Sequence, residues 1–293
     1  MDDELYLDPR MLKLLVQRSL VEDLSDAGDV TSDNILGADQ TASAQILAKS
    51  AGVLAGRPVA DAVFFKMDGT VEVDWLLADG ARLEPGTAIA EITGRARSIM
   101  AAERVALNFL QHLSGVATLT AAFAAQCAPH GVQLLCTRKT IPGLRAVQRY
   151  AVAVGGGSLH REGLYDAILI KTNHCMLAGG IAEAVRRAKA RSSMEVEVEV
   201  KDLEGFREAA EAGAERVLLD NATPAMVKEA VESKPEGVFL EVSGGVSLGT
   251  VGAIAALKPD AISVGRLTHS VTAVDLALHI TEDGRAPSAT GSS

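Results

Sequence analysis

The sequence predicts an α/β protein in two parts, an N-terminal α+β sandwich-like domain and a C-terminal open, incomplete TIM-like α/β barrel. Three observations carry this reading. Beyond Gly131, the β-rich runs QLLCT, AILIK, MEVEVEV, ERVLLD, VFLEV and DAISV alternate with helical stretches such as IAEAVRRAKA and SLGTVGAIAALK. That alternation gives parallel strands joined by helical crossovers. The steps are even, with 23 residues from Asp220 to Ser243 and 22 from Ser243 to Gly265. Six such strands are visible, too few to close an eightfold barrel. Before Gly94 the texture differs, with short apolar runs bounded by glycine, as in a small sheet with hairpins.

Taken in order, Leu12, Leu15, Val16 and Leu20 recur at helical spacing from Met11 to Leu24, and DAGDVT (26–31) then breaks the helix. From Ala42 to Gly94 we expect strands; Val71, Val73 and Trp75 alternate with Glu72 and Asp74 as a half-buried strand should. Ser98 to Gln126 reads as one or two helices, with Ser98 as N-cap and Ser114-Gly115 as a break. We therefore place the first domain at 1–115, with about 270–285 packing back on it, and the barrel at 116–269. The small, polar 286–293 is expected to be a disordered tail.

Composition narrows the function. The 293 residues are 48% hydrophobic and carry a formal charge of −10. No apolar run reaches the roughly 20 residues that span a bilayer. MDDELYLDPR is acidic where a signal peptide is basic and then apolar, so a cytoplasmic protein is expected, with no membrane partner. Cys127, Cys136 and Cys175 have neither a disulfide framework nor zinc spacing, and read as ordinary buried or semi-buried thiols. The acidic balance and scarce aromatic residues argue against nucleic-acid binding. Walker A and GxGxxG patterns are missing, which removes kinase and dinucleotide readings.

One stretch opposes the overall charge. Between Thr137 and His174, six cations (Arg138, Lys139, Arg145, Arg149, Arg161 and Lys171) face only Glu162 and Asp166, a local +4, with His160 and His174 beside them. A cationic island in an acidic chain is costly unless an anion occupies it, which points to a small, multiply charged anionic ligand. In a βα-barrel the chemistry sits at the carboxyl ends of the strands. That rule gathers Arg138, Lys139, Lys171, His174, Glu199, Asp220, Ser243, Gly244 and Gly265 at one mouth. In MEVEVEV, period two puts Glu195, Glu197 and Glu199 on one face, inward if the valines meet the helices. Like charges there need cations or a metal. Glu199 and Asp220, at adjacent strand ends, suit Mg²⁺ bound to a diphosphate. The turns at Ser243, Gly244 and Gly245 and at Gly265 offer backbone N–H groups to a phosphate.

The runs TRKTIPGLR, GGGSLHREGLYD and IKTNH, in this order and spacing, closely resemble the quinolinate phosphoribosyltransferases, the carboxylating pyrophosphorylases of de novo NAD synthesis. The likeness runs from about Leu12 to Ile280. It implies that quinolinate and PRPP become nicotinate mononucleotide, pyrophosphate and CO₂. Arg138, His160, Arg161, Lys171 and His174 would line the quinolinate site. Arg104, in ERVALNFLQHLSGVAT, would enter from the second subunit of a homodimer. Lys139, Lys171, Glu199 and Asp220 would carry the catalysis, with Glu199 and Asp220 toward Mg²⁺ and PRPP. Ser243, Gly244, Gly245, Ser263, Gly265 and Arg266 would hold the 5′-phosphate. Thr172 and Arg266 depart from the family pattern, which has an acidic and a small residue there. A barrel lyase using Lys171 as an amine and a non-catalytic sensor of an acidic metabolite stay open beside this reading; the sensor has no need of Glu199 and Asp220.

Overall fold

The computed structural model describes residues 7–281; the expected tail at 286–293 lies outside them. In chain order the elements are α1 (Pro9–Leu24), α2 (Val30–Ile35), β1 (Thr41–Ala48), β2 (Gly52–Val53), α3 (Arg57–Met67), β3 (Glu72–Trp75), β4 (Arg82–Leu83), β5 (Ala88–Arg95) and α4 (Ala96–Cys127). Then come β6 (Gln133–Leu135), α5 (Arg145–Val154), β7 (Ile168–Ile170), α6 (Thr172–Ala178), α7 (Ile181–Arg191), β8 (Val196–Val200) and α8 (Leu203–Glu211). Last are β9 (Arg216–Asp220), α9 (Pro224–Ser233), β10 (Phe239–Ser243), α10 (Val251–Ala255), β11 (Ala261–Ser263), α11 (Arg266–His269) and β12 (Leu276–Thr281).

These residues group into two units, 7–119 with 142–155 and 270–281, and 120–141 with 156–269. The first is built on a four-stranded antiparallel sheet in the order β12-β1-β5-β3. Helix α1 starts where Asp8 accepts from the Arg10 N–H at 2.8 Å, with Pro9 in its first turn. Helix α3 was not foreseen in the strand-rich stretch; Pro58 in its first turn signals it, and Val59, Ala60, Val63 and Phe64 form its buried face. Segment 142–155, which the alternation assigns to the barrel, groups here instead. Its helix α5 is tied to this unit by Tyr150, whose hydroxyl donates to Asp79 at 2.5 Å, and by Gln148, 2.9 Å from His112. His112 is half-buried, and burial lowers its pKa.

Helix α4 is continuous from Ala96 to Cys127. Ser98 lies inside it and donates to Asp68 at 2.8 Å rather than capping it. Ser114 and Gly115 are contact residues, not a break. Ser114 Oγ accepts from the Ala55 N–H at 3.0 Å, and a Cβ on Gly115 would lie 2.3 Å from the Thr272 carbonyl oxygen. A small residue is needed there because a main chain runs against the helix.

The second unit is a six-stranded parallel sheet in the order β6-β11-β10-β9-β8-β7, flanked by helices. It is an open TIM-like barrel, as predicted. β6 and β7 form its two edges, and a single parallel bridge from Leu135 to Ser158 extends the β6 edge. Val196, Val198 and Val200 pack with Phe206, Val217, Leu219 and Leu240 in the helix-side core. Glu197 and Glu199 therefore face the barrel interior. Glu195 precedes the strand and is exposed, so the inward acids are two rather than three. All three cysteines are free and buried.

Candidate active site

Register places the polar side chains. Asp220 pairs with Ser243 and Ser243 with Ser263; one layer deeper, Glu199 pairs with Leu218 and Leu218 with Glu241. Partners in register share a face, so these groups converge on the interior at the strands' carboxyl ends. There they border a cavity of about 290 Å³. Arg138, Lys139, Arg161 and Lys171 bring positive charge to it, His160 joins them, and Glu199, Asp220 and Glu241 bring negative charge. Ser243 and Ser263 supply hydroxyls. A larger hollow of about 600 Å³ in the first unit is walled mainly by apolar residues of α1 and residues 142–147. It lacks converging catalytic groups, so the smaller, charged cavity is the candidate site.

Nine residues singled out in the sequence, Arg138, Lys139, His160, Arg161, Lys171, Glu199, Asp220, Ser243 and Ser263, line this cavity. Lys139 is held by its backbone, whose carbonyl accepts from Thr268 Oγ1 at 2.7 Å. Arg138 Nε is buried and has no hydrogen-bond partner among the described residues, a cost that an anionic ligand would remove. Burial and then the neighbouring Arg138 charge lower the Arg161 pKa. Crowded cations of this kind are what an anion site requires.

The remaining candidates lie elsewhere. His174 is exposed on α6, where its Nδ1 accepts from the Lys171 N–H at 2.9 Å; the ring caps the helix instead of lining the cavity. Gly244, Gly245, Gly265 and Arg266 follow the lining residues Ser243 and Ser263 without lining the cavity, and Arg266 is exposed at the start of α11. Arg104 belongs to the first unit, exposed on α4, with Glu103 3.8 Å away.

At the cavity wall and just behind it, the acids are compensated in two places. Lys171 Nζ donates to Glu199 Oε2 at 2.5 Å, and the Thr172 hydroxyl reaches Oε1 at 3.4 Å. Deeper, His160 Nε2 lies 3.0 Å from Glu197 and 3.3 Å from Glu241, while Arg216 lies 3.8 Å and 3.5 Å from the same two acids. Burial alone would depress the His160 pKa, but hydrogen bonds and attraction from Glu197 and Glu241 outweigh it and push the pKa to about 9. The Arg161 N–H, 2.7 Å from His160 Nδ1, favours the neutral ring; two carboxylates in a dry site dominate over that one contact. Burial raises the Glu197 carboxyl, whereas Glu241, although burial opposes it, is lowered by His160, Ser263 and Arg216.

Glu241 and Arg216 were not among the residues singled out in the sequence. The available signal was phase, because Glu241 stands two residues before Ser243 and must face the same way. As cation ligands, Glu199 and Asp220 offer hard carboxylate oxygens on the cavity wall, the donor set that Mg²⁺ takes together with phosphate oxygens. His160, Glu197 and Glu241 also bring ligand atoms within 4.8 Å of one another, but Arg216 already supplies the compensating charge.

An open parallel barrel with cations and paired carboxylates at its strand ends defines an α/β-barrel protein with an anion-binding site. Residues 116–279 match the family described as quinolinate phosphoribosyl transferase, C-terminal domain, and residues 29–114 match its N-terminal domain. The chain belongs to the quinolinate phosphoribosyl transferase family, whose members are phosphoribosyltransferase enzymes. It is 39% identical to a probable nicotinate-nucleotide pyrophosphorylase (carboxylating) of Bacillus subtilis, over 92% of this chain and 93% of that one. It is 40% identical to the chloroplastic nicotinate-nucleotide pyrophosphorylase (carboxylating) of Oryza sativa subsp. japonica, over 92% and 77%. Among solved structures, the nicotinate-nucleotide pyrophosphorylase from Francisella tularensis superposes with a TM-score of 0.91 at 39% identity, covering 96% of this chain and all of that one.

Proposed function

We propose that this chain joins quinolinate to PRPP, yielding nicotinate mononucleotide, pyrophosphate and CO₂ in NAD synthesis. The observation that carries the reading is the cavity itself, where Arg138, Arg161, Lys171 and His160 converge with Glu199 and Asp220. The quinolinate ring nitrogen gives its lone pair to the anomeric carbon, and the bond to pyrophosphate breaks with its electron pair leaving on oxygen. In the pyridinium that results, the bond from C2 to its carboxylate breaks, CO₂ departs, and the electron pair left on C2 takes a proton from solvent.

Planar guanidinium forks match carboxylates, so Arg138 and Arg161 grip the dicarboxylate, with Lys171 and His160 adding charge. The departing 2-carboxylate loses its charge on the way to CO₂. A tight grip on it in the ground state slows that step, so the useful grip is on the retained 3-carboxylate. Lys139 faces the charge developing on the leaving group. Glu199 and Asp220 would hold Mg²⁺ with the diphosphate, and the ion would neutralise the leaving pyrophosphate. Ser243, Ser263 and the glycine turns after them, with Arg266, serve the 5′-phosphate.

The assembly is a homodimer in which Arg104 completes the neighbouring site, and it works in the cytoplasm. No described helix is long and apolar enough to cross a membrane. Lys171 is ion-paired with Glu199 rather than an isolated amine, which counts against Schiff-base chemistry. The test is CO₂ release from quinolinate labelled at the 2-carboxylate, with PRPP and Mg²⁺ and nicotinate as control. PRPP-dependent release supports the reading, and its absence from folded protein overturns it.

A further inference from the structure

Asp220 ends β9, and the next residue, Asn221, has a φ of 54°, in the left-handed region that asparagine adopts more readily than other non-glycine residues. Its amide Nδ2 donates to Asp220 Oδ2 at 2.9 Å, and its backbone N–H donates to the Ser243 carbonyl at 2.8 Å. On its other side stands Gly244, with a φ of 88°. A Cβ there would lie 2.5 Å from Asn221 Oδ1, 2.6 Å from Cγ and 2.8 Å from the backbone nitrogen. Position 244 thus has no room for a side chain because Asn221 fills it.

The geometry points to Asn221 as a positioning residue that locks the Asp220 carboxylate and the Ser243–Gly245 turn into one register. The inference rests on the proposed PRPP site, with Asp220 at its diphosphate end and the glycine turn at its 5′-phosphate end. Two anionic ends of one ligand then meet a single rigid unit. Without the amide, Asp220 is free to rotate and the turn loses the wedge that holds Gly244 in place. Ligand binding must then order both, which costs affinity for that ligand alone.

Asn221→Gly keeps the left-handed backbone accessible and removes the side chain that carries the amide. PRPP binding in the presence of Mg²⁺ is measured by titration calorimetry, alongside the KM for each substrate and the melting temperature. The variant is expected to bind PRPP about tenfold more weakly, the equivalent of one hydrogen bond to a charged group. Its PRPP KM rises in step, while its quinolinate KM and melting temperature stay near those of the unaltered protein. Equal PRPP binding by the two proteins overturns the inference, as does a loss shared by both substrates with a fall in melting temperature. Failure of the unaltered protein to bind PRPP overturns the substrate reading and this inference with it.

Discussion

Replacing Glu241 with Gln should destabilise the protein in a way that depends on pH, and the size of the effect follows from the cluster at the cavity wall. Glu241 is fully buried on β10, 3.3 Å from His160 and 3.5 Å from Arg216. With Glu197 it balances those two cations. Glu241→Gln leaves two positive charges against one buried acid, and breaking a buried pair costs about 3–5 kcal/mol. His160 can limit that loss by releasing its proton. Its pKa of about 9 means that deprotonation at pH 7 costs roughly 3 kcal/mol at about 1.4 kcal/mol per pH unit. The loss is therefore about 3 kcal/mol, or about 6 to 12 °C in melting temperature for a chain of this size. The sign with pH is set by the raised histidine. Stabilisation is complete below the unfolded pKa near 6.5 and is lost as pH rises through about 9. Denaturant unfolding at pH 6, 7.5 and 9 should show the gap between the unaltered protein and Glu241→Gln narrowing as pH rises. A gap that stays constant with pH would falsify the assignment of a charged His160 to this cluster.

Three further outcomes are expected. Arg138→Met should raise the quinolinate KM about 10- to 150-fold, the range for losing charge-assisted hydrogen bonds, with PRPP affinity measured by calorimetry unchanged. Mixing inactive Arg104→Ala with inactive Lys171→Ala subunits should restore part of the activity if Arg104 serves the neighbouring site; no recovery in verified mixed dimers would place its action within its own chain. Gly115→Ala forces a methyl to within 2.3 Å of the Thr272 carbonyl and should lower stability by about 1–3 kcal/mol in a thermal melt.

What the sequence disclosed and what it hid divide along physical lines. The EVEVE run is legible because period two is unambiguous when the alternate residues are valine, and Glu197 and Glu199 do face inward. The run FLEVS reads instead as one short apolar strand. A single acid in it carries no periodic signal, and its role appears only when β9 brings Arg216 to it and the stretch between α5 and β7 brings His160. Helix α3 hid among short apolar runs, because eleven residues with a mixed face look much like a strand and its turn. Ser114-Gly115 misled for a different reason. Local chemistry says break, but the glycine answers a contact with residues about 270, which no local pattern reveals. His174 follows the same lesson from the other side, since a histidine three residues into a helix is as well placed to cap as to bind.

The pair formed by Lys171 and Glu199 leads to a final expectation about how the two substrates help each other. On the proposed assignment Lys171 serves the quinolinate carboxylate and Glu199 serves the metal–diphosphate end, yet here they hold each other at 2.5 Å. While that bond holds, each spends part of its charge on the other rather than on a ligand. A carboxylate arriving at Lys171 exchanges one acid for another, so the cation gives up little, and Glu199 is released with the 3.4 Å contact from Thr172 left on it. Glu199 then becomes available at the moment the dicarboxylate is in place. Each ligand should therefore raise the affinity of the other, by the same factor in both directions as linkage requires, and by at least about fivefold, the low end of typical coupling. Unreactive partners make this measurable by calorimetry: benzene-1,2-dicarboxylate, which lacks the nucleophilic nitrogen, and Mg²⁺ with pyrophosphate. Glu199→Gln leaves Lys171 unpaired beforehand, so the dicarboxylate should bind at least as tightly as before and the coupling should vanish. Coupling that survives in Glu199→Gln would show that the two substrates communicate by some route other than this ion pair.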